Sequence, residues 1–556
     1  VASDITARGG GSEFIFATTE WGAILAQGRF EIFNAAWIAL VPAAAFASAV
    51  LGFNLMGHGL RTFFERAPVA LGRLLSLRTA MALLAIFIAI RVASPYLGPA
   101  GGYVAVAREF DASRARAHVD WLADPARAGR YTGSTGYNDS ARYVADQFKS
   151  IGLEPLGSDG TYFQNWATNI VKLGAMPVFE RVGEGAKKYQ PRVHFAERVG
   201  GRAGSGTAEG NVVYVGGGIR TQEYSDYQGT HAEGNIVLIA GPTQGDPIDA
   251  AIRAGAKAVI FVNPIDRGVI RFSYSAFFER ETLPVINVSE AVADELIASS
   301  GKRIADLRRT LEERRRRAEQ RPSLVRSAPE PLSFDTPTRV RIEVAIGPPE
   351  RVNTMNVVGV LRGSDAERAK KFVIVGGHLD GIGTDPDGTV FPGANDNASG
   401  PAVTIEVARV LAAQKAMLKN SVIFVAFSGE EVGLIGSDAF VTNSVTTPYR
   451  PDNVIAFLNL DMDGCCGGLA ATDENFALHQ RVRSAAERLG YGLDYGSGGS
   501  DHFAFLRRRV PAVMISGTEV GAFHTYGDTP DTVDPARLRA SGEVVLQSVL
   551  EMAATE

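Results

Sequence analysis

Continuous apolar runs in the second half of the chain restrict its fold more than any other feature of the sequence. The stretches KFVIVGGHLDG (371–381), SVIFVAFSG (421–429) and VIAFLNLDM (454–462) lack the polar and apolar alternation of a half-exposed strand. Strands of this composition are buried on both faces, and GPAVTIEVARVLAAQ (400–414) between them has the pattern of a helix. The sequence therefore predicts an α/β fold with a mostly parallel sheet sandwiched by helices.

Side chains that commonly bind metals follow each of these runs or lie in the adjoining loops. They are His378, Asp380, Asp396, Glu430, Glu431, Asp461, Asp463 and His524. Ligands of such sheets bind beyond the carboxyl ends of the strands, so we expect these side chains to converge at one edge.

Carboxylates at this density need positive charge close by. A pair of divalent ions with one bridging carboxylate supplies it, and Zn²⁺ suits a mixture of imidazole and carboxylate ligands. Two such ions can polarise a carbonyl group and activate water, and one carboxylate must then stay unligated to accept the proton of that water. The residues alone require only that the adjacent Glu430 and Glu431 differ in role.

Six strings of the sequence resemble peptidase family M28, whose members are co-catalytic zinc metallopeptidases and include aminopeptidases and glutamate carboxypeptidases. In chain order the strings are GGHLDG, GANDNASG, FSGEEVGLIGS, NLDMDG, GGSDHFAF and FHTYGDTPDTVD. The resemblance covers residues 108–184 and 331–556. It implies a peptidase domain in two parts, of which the second carries the metal site.

The resemblance implies five ligands for two zinc ions. His378 and Asp461 would bind one ion. Glu431 and His524 would bind the other, and Asp396 would bridge the two.

Three acids take other roles under the same resemblance. Glu430 would be the general base and would later give its proton to the leaving amine. Asp380 would hydrogen-bond the imidazole of His378. Asp463 has no ligand role in the family pattern, and we expect it to lie in the loop around the site.

Candidates for the substrate pocket are Phe523, Tyr526 and His502. Some members of the family carry a Tyr immediately before the last His ligand, where its hydroxyl stabilises the oxyanion. Phe523 occupies that position and has no hydroxyl, which leaves the oxyanion donor open between Tyr526 and another group. We expect His502 to support the pocket wall. The loop IGTDPDGTVFP (382–392) looks longer than in compact members and would shape the pocket.

Residues 185–330 separate the two parts of the peptidase domain. Short apolar runs with glycine-rich turns predict a β-rich insert with few helices. The pattern DYQGTHAEGNIVLIAGP…AAIRAGAKAVIFVN (226–263) resembles the protease-associated (PA) domain. The basic run RRTLEERRRRAEQR (308–321) alternates with acids at helical spacing and predicts a solvated helix face.

The N-terminal hundred residues are unlike the rest of the chain. Residues 33–57 contain no charge and are long enough to cross a bilayer, and residues 79–97 form a second, weaker span interrupted by Arg91. The loop at 58–78 carries four Arg against one Glu, which predicts a cytoplasmic loop. Two spans place everything after residue 98 on the other side of the membrane, in the periplasm or outside the cell.

Residues 1–66 are interpreted as a permease-like fragment. TEWGAILAQGR and the apolar stretch after it resemble the last helix of dipeptide and oligopeptide ABC-transporter permeases. Residues 67–107 then hold a loop and the second span. This resemblance makes components of a peptide transporter candidate partners, beside peptide substrates and the membrane.

Charge and cysteine content exclude some classes of protein. The formal charge is −5, from 56 Lys and Arg against 61 Asp and Glu, and no basic patch points to nucleic acid. The two cysteines, Cys465 and Cys466, are adjacent, and we expect small packing residues because a bridge between neighbours is strained.

These features predict a membrane-anchored dizinc exopeptidase, and we expect an aminopeptidase. A carboxypeptidase or a glutaminyl cyclase on the same scaffold is the alternative. A peptide-binding or transporter-associated ectodomain is the alternative outside enzymes.

Overall fold

The computed structural model describes residues 47, 50–52, 54–58, 81–87, 99–263, 269–319, 331–442 and 450–554. The chain divides into two compact units, residues 1–94 and residues 95–556. In the first unit, residues 54–58 and 81–87 are helical. Their large apolar side chains and those just before them are exposed, namely Val50, Leu51, Leu55, Met56, Met81, Leu83, Leu84, Ile86 and Phe87.

Among the residues that the structure describes, no helix combines the length and apolar character required to cross a bilayer. Most of the predicted spans, 33–57 and 79–97, and most of the permease-like fragment lie outside the described residues.

In the second unit the described α-helices pack against two large sheets, and two further strands, Gly201–Ala203 and Phe278–Leu283, form a small third sheet. The helices are α1 (Pro99–Ala107), α2 (Ala112–Leu122), α3 (Thr135–Ile151), α4 (Pro247–Arg253), α5 (Glu290–Ile297), α6 (Ile304–Glu319), α7 (Ser399–Ala413), α8 (Ile435–Thr442), α9 (Phe476–Leu489), α10 (His502–Leu506) and α11 (Pro535–Ala553).

The strands alternate with these helices along the chain. They are β1 (Glu154–Pro155), β2 (Phe163–Ile170), β3 (Val178–Val182), β4 (Lys187–Lys188), β5 (Phe195–Glu197), β6 (Gly201–Ala203), β7 (Gly206–Tyr214), β8 (Ile236–Ile239), β9 (Ala258–Val262), β10 (Phe278–Leu283), β11 (Val285–Val288), β12 (Phe334–Val344), β13 (Glu350–Leu361), β14 (Phe372–His378), β15 (Ser421–Phe427), β16 (Val454–Leu460), β17 (Leu469–Ala471), β18 (Asp494–Tyr495) and β19 (Ala512–Gly517).

The first sheet has the strand order β1-β13-β15-β14-β16-β19-β17-β18, and β2 pairs with β13. Its centre, β15-β14-β16-β19, is parallel, but β13 is antiparallel to β15 and β17 is antiparallel to β19. The prediction of a mostly parallel sheet is therefore wrong at the flanks, and the sheet is mixed. β14 and β15 are buried along their whole length, whereas the first part of β13 is partly exposed, as suits an antiparallel flank.

Helices cover both faces of this sheet, as predicted. One apolar core joins it to α1, α2, α3, α7, α9 and α11, and the other joins it to α8 and α10. The parallel register aligns the strand ends, because His378 lies opposite Phe427 and Leu460 lies opposite Ile515. Residues that follow β14, β15 and β16 therefore meet at one edge.

Helix α3 begins and ends where side-chain chemistry favours it. Its N-cap is Ser134, whose hydroxyl accepts a hydrogen bond from the Tyr137 N–H, and its C-cap is Gly152 in the left-handed conformation (φ 89°). Ser134 has the extended backbone (φ −74°, ψ 165°) that is typical of an N-cap residue.

The second sheet belongs to the insert and has the order β4-β3-β12-β7-β8-β9-β11-β5. Helices α5 and α6 pack on one of its faces and α4 on the other. The sheet runs from Val178 to Val344, which is wider than residues 185–330, because β3 pairs with β12 and β12 pairs with β7. The basic stretch is helical in α6, as predicted, and its Arg side chains pair with Glu312 and Glu313.

Cys465 and Cys466 form a disulfide bond with each other. The prediction of two unbridged packing residues is therefore wrong. Cys466 has a left-handed backbone (φ 61°), and both sulfur atoms lie against Gly521, where an added Cβ would stand 2.5 Å from the Cys466 Sγ. Glycine at this position lets the loop that leads to His524 pass over the disulfide.

Candidate metal centre

Three groups of three possible ligand side chains meet at the predicted edge of the first sheet, within the part of the chain that the structure describes. Two of them share Asp396: the first triad is His378, Asp396 and Asp461, and the second triad is Asp396, Glu431 and His524. The remaining group combines His378 with Glu430 and Glu431. Within each triad the ligand atoms lie within 4.8 Å of one another. The structure thus brings together all five residues that the sequence assigns to metal binding.

Asp396 belongs to both triads through different oxygens. Its Oδ1 lies 3.4 Å from the Nε2 of His378, and its Oδ2 lies 3.1 Å from the Nε2 of His524. His378 Nε2 is also 3.4 Å from Asp461 Oδ1, and His524 Nε2 is 3.2 Å from Glu431 Oε2. This arrangement gives Asp396 the position of a bridging ligand.

The other ring nitrogen of each histidine faces a backbone carbonyl. His378 Nδ1 lies 3.0 Å from the carbonyl oxygen of Asp380, and His524 Nδ1 lies 2.7 Å from that of Arg271. A carbonyl only accepts, so each Nδ1 carries a proton, and in the neutral imidazole the lone pair is on the Nε2 that faces the carboxylates. The neutral form of both imidazoles therefore has the tautomer that a metal ligand requires.

The side chain of Asp380 does not hold His378 as predicted. Its Oδ1 is 3.9 Å from His378 Nδ1, too far for a hydrogen bond, and the backbone carbonyl of Asp380 takes that role. The carboxylate instead accepts hydrogen bonds from the Thr132 hydroxyl at 2.8 Å and from the N–H groups of Glu430 and Glu431, each at 3.3 Å. Asp380 thereby positions the backbone of the two adjacent glutamates.

Glu430 and Glu431 lie in different surroundings, as the sequence requires. Glu431 is buried and belongs to the second triad, whereas Glu430 is half-buried and also approaches His378. Burial raises the pKa of Glu430 well above its usual range; the charge of His378 opposes this effect and that of Glu431 adds to it. Glu430 therefore holds a proton more firmly than an exposed glutamate does.

The three pocket candidates take different places. The Phe523 ring stacks on the imidazole of His524, with centroids 3.7 Å apart. The Tyr526 hydroxyl donates to Asp385, so it is engaged away from the triads. His502 is buried, lies 3.9 Å from Glu474 Oε2, and belongs to neither triad. Asp463 is also buried outside the triads, and burial raises its pKa to about 7.

Asp528 and Asp501 were not singled out from the sequence. Asp528 accepts hydrogen bonds from the N–H groups of Asn395 and Asp396 at 2.8 and 2.9 Å, and burial raises its pKa to about 7. Asp501 is buried, its pKa is also raised to about 7, and its charge acts on Glu430. Both lie inside strings that the family resemblance already includes, FHTYGDTPDTVD and GGSDHFAF, and that is the signal that could have found them.

Arg130 lies outside the sequence motifs of the site and is fully buried. Its guanidinium donates hydrogen bonds of 2.7–2.9 Å to the carbonyls of Leu122, Leu379, Pro392 and Gly393. Leu379 follows His378, and Gly393 precedes Asp396 by three residues. Arg130 therefore ties together the two loops that supply His378 and Asp396.

We expect Arg130→Lys to lower the free energy of unfolding by about 2–3 kcal/mol, because an ammonium group cannot reach all four carbonyls and buried acceptors lose their partners. Urea denaturation of the full chain measures this effect. Arg142→Lys is the matched control, since Arg142 pairs with Asp139 on the surface, where ion pairs contribute at most about 1 kcal/mol. Equal stability of the two variants would contradict the role given to Arg130.

The donor set fits divalent cations. Burial acts to lower the pKa of His378 and of His524, but the facing carboxylates outweigh burial and hold both pKa values well above the usual range. The same histidines hold the pKa of Asp396 well below its usual range against the effect of burial. The site therefore stabilises positive charge, and its mixture of imidazole and carboxylate ligands suits Zn²⁺.

Fold and site together define an α/β protein with a candidate dinuclear metal centre at the carboxyl ends of parallel strands. Residues 356–549 match the model of peptidase family M28.

Similar proteins carry names that agree with this family. A probable leucine aminopeptidase of Trichophyton verrucosum is 30% identical over 218 residues, which cover 35% of this chain and 57% of the relative. The chain thus spans little more than half the length of this curated relative.

The solved structures show a similar fold. An aminopeptidase from Aneurinibacillus sp. strain AM-1 aligns with a TM-score of 0.59 at 23% identity, over 81% of this chain and 95% of that one. BSAP, a zinc aminopeptidase from Bacillus subtilis, aligns with a TM-score of 0.53 at 21% identity, over 80% and 96%.

Proposed function

We propose that the chain is a zinc-dependent exopeptidase of the aminopeptidase type that works with two metal ions. The observation that carries the proposal is the pair of triads that share Asp396. Glu430 lies beside them, and its surroundings differ from those of the adjacent Glu431. The names of the similar proteins support zinc and an aminopeptidase activity.

Bound zinc ions would polarise the scissile carbonyl and lower the pKa of the attacking water. His378 and Asp461 would hold one ion, Glu431 and His524 the other, and Asp396 would bridge them. Glu430 would accept the proton of the attacking water and pass it to the departing amine. Asp380 keeps Glu430 and Glu431 in place through their N–H groups, and the carbonyls of Asp380 and Arg271 hold the Nδ1 protons, so that Nε2 is the nitrogen of each neutral imidazole that can bind a metal.

We further propose that the insert is a PA-like domain and that the N-terminal apolar segments anchor the chain in a bacterial inner membrane. The peptidase domain would then lie in the periplasm or outside the cell. The exposed apolar side chains among residues 50–52, 54–58 and 81–87 support an apolar environment for this part. Cleavage of peptides beside a peptide importer would be consistent with the permease-like fragment. Protease digestion of the domain in inverted vesicles, but not in intact spheroplasts, would overturn the orientation.

The substrate class is tested with matched peptide pairs. The full chain should hydrolyse a peptide with a free amino terminus and leave its N-acetylated counterpart intact. A chelator should abolish this activity, and added zinc should restore it. Cleavage of the N-acetylated peptide from its carboxyl end would favour a carboxypeptidase, and cyclisation of an N-terminal glutamine would favour a glutaminyl cyclase. Peptide binding without turnover would favour the ectodomain alternative.

A further inference from the structure

The insert reaches into the metal centre through residues 269–277, which we call the insert segment. The Ser273 hydroxyl donates a hydrogen bond of 2.6 Å to Oε2 of Glu431. The carbonyl of Arg271 accepts the 2.7 Å hydrogen bond from Nδ1 of His524, and the Arg271 N–H donates to the carbonyl of His524 at 3.2 Å. Two of the three side chains of the second triad are therefore positioned by the insert.

The first triad is supported differently. Nδ1 of His378 donates a hydrogen bond to the backbone carbonyl of Asp380, which lies two residues later in the peptidase domain. Asp461 directly follows β16 in the centre of the sheet, and its N–H donates to the carbonyl of Ile515 in β19 at 3.1 Å. The contacts that fix His378 and Asp461 thus come from the peptidase domain. The two triads share Asp396 but depend on different domains.

A buried cluster of charges attaches the insert beside the second triad. We call it the anchor cluster, and it consists of Arg192, Glu197, Arg271 and Tyr274 of the insert with Asp385 and Tyr526 of the peptidase domain. The Arg192 guanidinium donates to both oxygens of Asp385 at 2.7 and 2.8 Å and to both oxygens of Glu197 at 2.6 and 3.0 Å. The Arg192 side chain is 5% exposed and that of Asp385 is fully buried.

The anchor cluster also holds the insert segment itself and the loop that carries His524. Tyr526, two residues after His524, donates a hydrogen bond from its hydroxyl to Asp385. The Tyr274 hydroxyl donates to Glu197. The Arg271 guanidinium lies 3.5 Å from Asp385 Oδ1 and stacks over the rings of Tyr274 and Phe391. Two guanidinium groups balance two carboxylates in this buried set, which makes its geometry specific.

We propose that docking of the insert sets the affinity of the second metal site, through Ser273 and the Arg271 carbonyl as positioning groups, while the first site binds its ion independently of the insert. This inference rests on the proposed two-metal function. Groups that orient metal ligands commonly change affinity by about 10–100-fold when they are removed. The insert would therefore control the second ion and not the first.

Zinc titration against a chromogenic chelator tests the proposal in two backgrounds of the full chain. Asp461→Asn weakens the first triad and leaves the second, whereas His524→Asn does the reverse. Adding Ser273→Ala should raise the zinc Kd by about 10-fold or more in the Asp461→Asn background. The same change should leave the Kd of the His524→Asn background unaltered.

Control variants separate positioning from a general loss of structure. Ser275→Ala lies in the same segment, where its hydroxyl accepts only from the Phe277 N–H at 3.2 Å, and should leave both affinities unchanged. Ser273→Thr keeps the hydroxyl and should restore tight binding. Asp385→Asn, which weakens the anchor cluster, should lower the affinity of the second site in the same direction as Ser273→Ala.

The outcomes distinguish this inference from the proposed function. Equal effects of Ser273→Ala in both backgrounds, or no effect in either, would overturn the inference even in a fully active enzyme. A wild-type chain that binds two zinc ions with the expected dependence on Ser273, but hydrolyses no peptide, would overturn the proposed function and support the inference.

Discussion

Glu430→Gln is expected to lower kcat by about 10²–10⁴-fold and to leave two zinc ions bound with unchanged affinity. Glutamine keeps the shape of the side chain but cannot accept the proton of the attacking water. Because Glu430 is assigned no bridging or ligand role, its loss should appear in kcat and not in metal content. A steady-state assay with a peptide that has a free amino terminus measures kcat. Zinc analysis of the dialysed protein measures the metal content.

The electrostatic surroundings of Glu430 suit this role. Burial raises its pKa, the imidazole of His378 lowers it, and Glu431, Asp461 and Asp501 raise it again. The result is a carboxyl group that holds a proton more firmly than an exposed glutamate. Such a group can accept a proton from water and deliver it to an amine within one reaction cycle.

Glu431→Gln is the matched control because it makes the same chemical change one residue away. Glu431 accepts from Ser273 and faces His524, so its replacement should lower the affinity for the second ion and reduce activity for that reason. If Glu430→Gln lost a zinc ion and Glu431→Gln did not, the roles of the two residues would be reversed. Full activity of Glu430→Gln would remove it from the reaction.

The ligand set was within reach of sequence reasoning because the sheet itself organises it. Buried strands were recognisable in 372–378, 421–427 and 454–460, and the parallel register of β14, β15 and β16 aligns their ends. His378, Glu431 and Asp461 therefore had to lie close together once the strands were identified. The antiparallel pairing of β13 with β15 was not predictable, because an apolar run does not indicate whether the neighbouring strand runs parallel or antiparallel to it.

Contacts between segments far apart in sequence were beyond such reasoning. Ser273 is separated from Glu431 by 158 residues, and Arg130 from Gly393 by 263. Neither residue is part of a strand-end pattern, and serine and arginine are ordinary surface residues in most sequences. Asp380 shows a further limit of sequence spacing. The spacing placed Asp380 beside His378, but it could not show that the backbone carbonyl, and not the carboxylate, contacts the imidazole.

Asp396→Ala is expected to abolish tight binding of both zinc ions, because its two oxygens face different histidines. Oδ1 serves the first triad and Oδ2 the second, so one substitution removes a ligand from each. Asp461→Ala removes a ligand only from the first triad and should leave one ion bound. Zinc content after dialysis should fall from two ions in the wild type to one in Asp461→Ala and to none in Asp396→Ala.

Stability supplies a second readout for Asp396. A ligand present at about 100 times its Kd stabilises the folded state by about 2.7 kcal/mol per site. Zinc should therefore add one such increment for each of its two sites to the free energy of unfolding of the wild type. The comparison uses the difference between zinc and chelator for each variant. It cannot use the zinc-free values alone, because His378 and His524 lose their pairing with Asp396 in the variant and lower its stability independently. An Asp396→Ala variant that kept the increment of one full site would show that Asp396 serves a single ion, and the bridge would then have to come from another carboxylate.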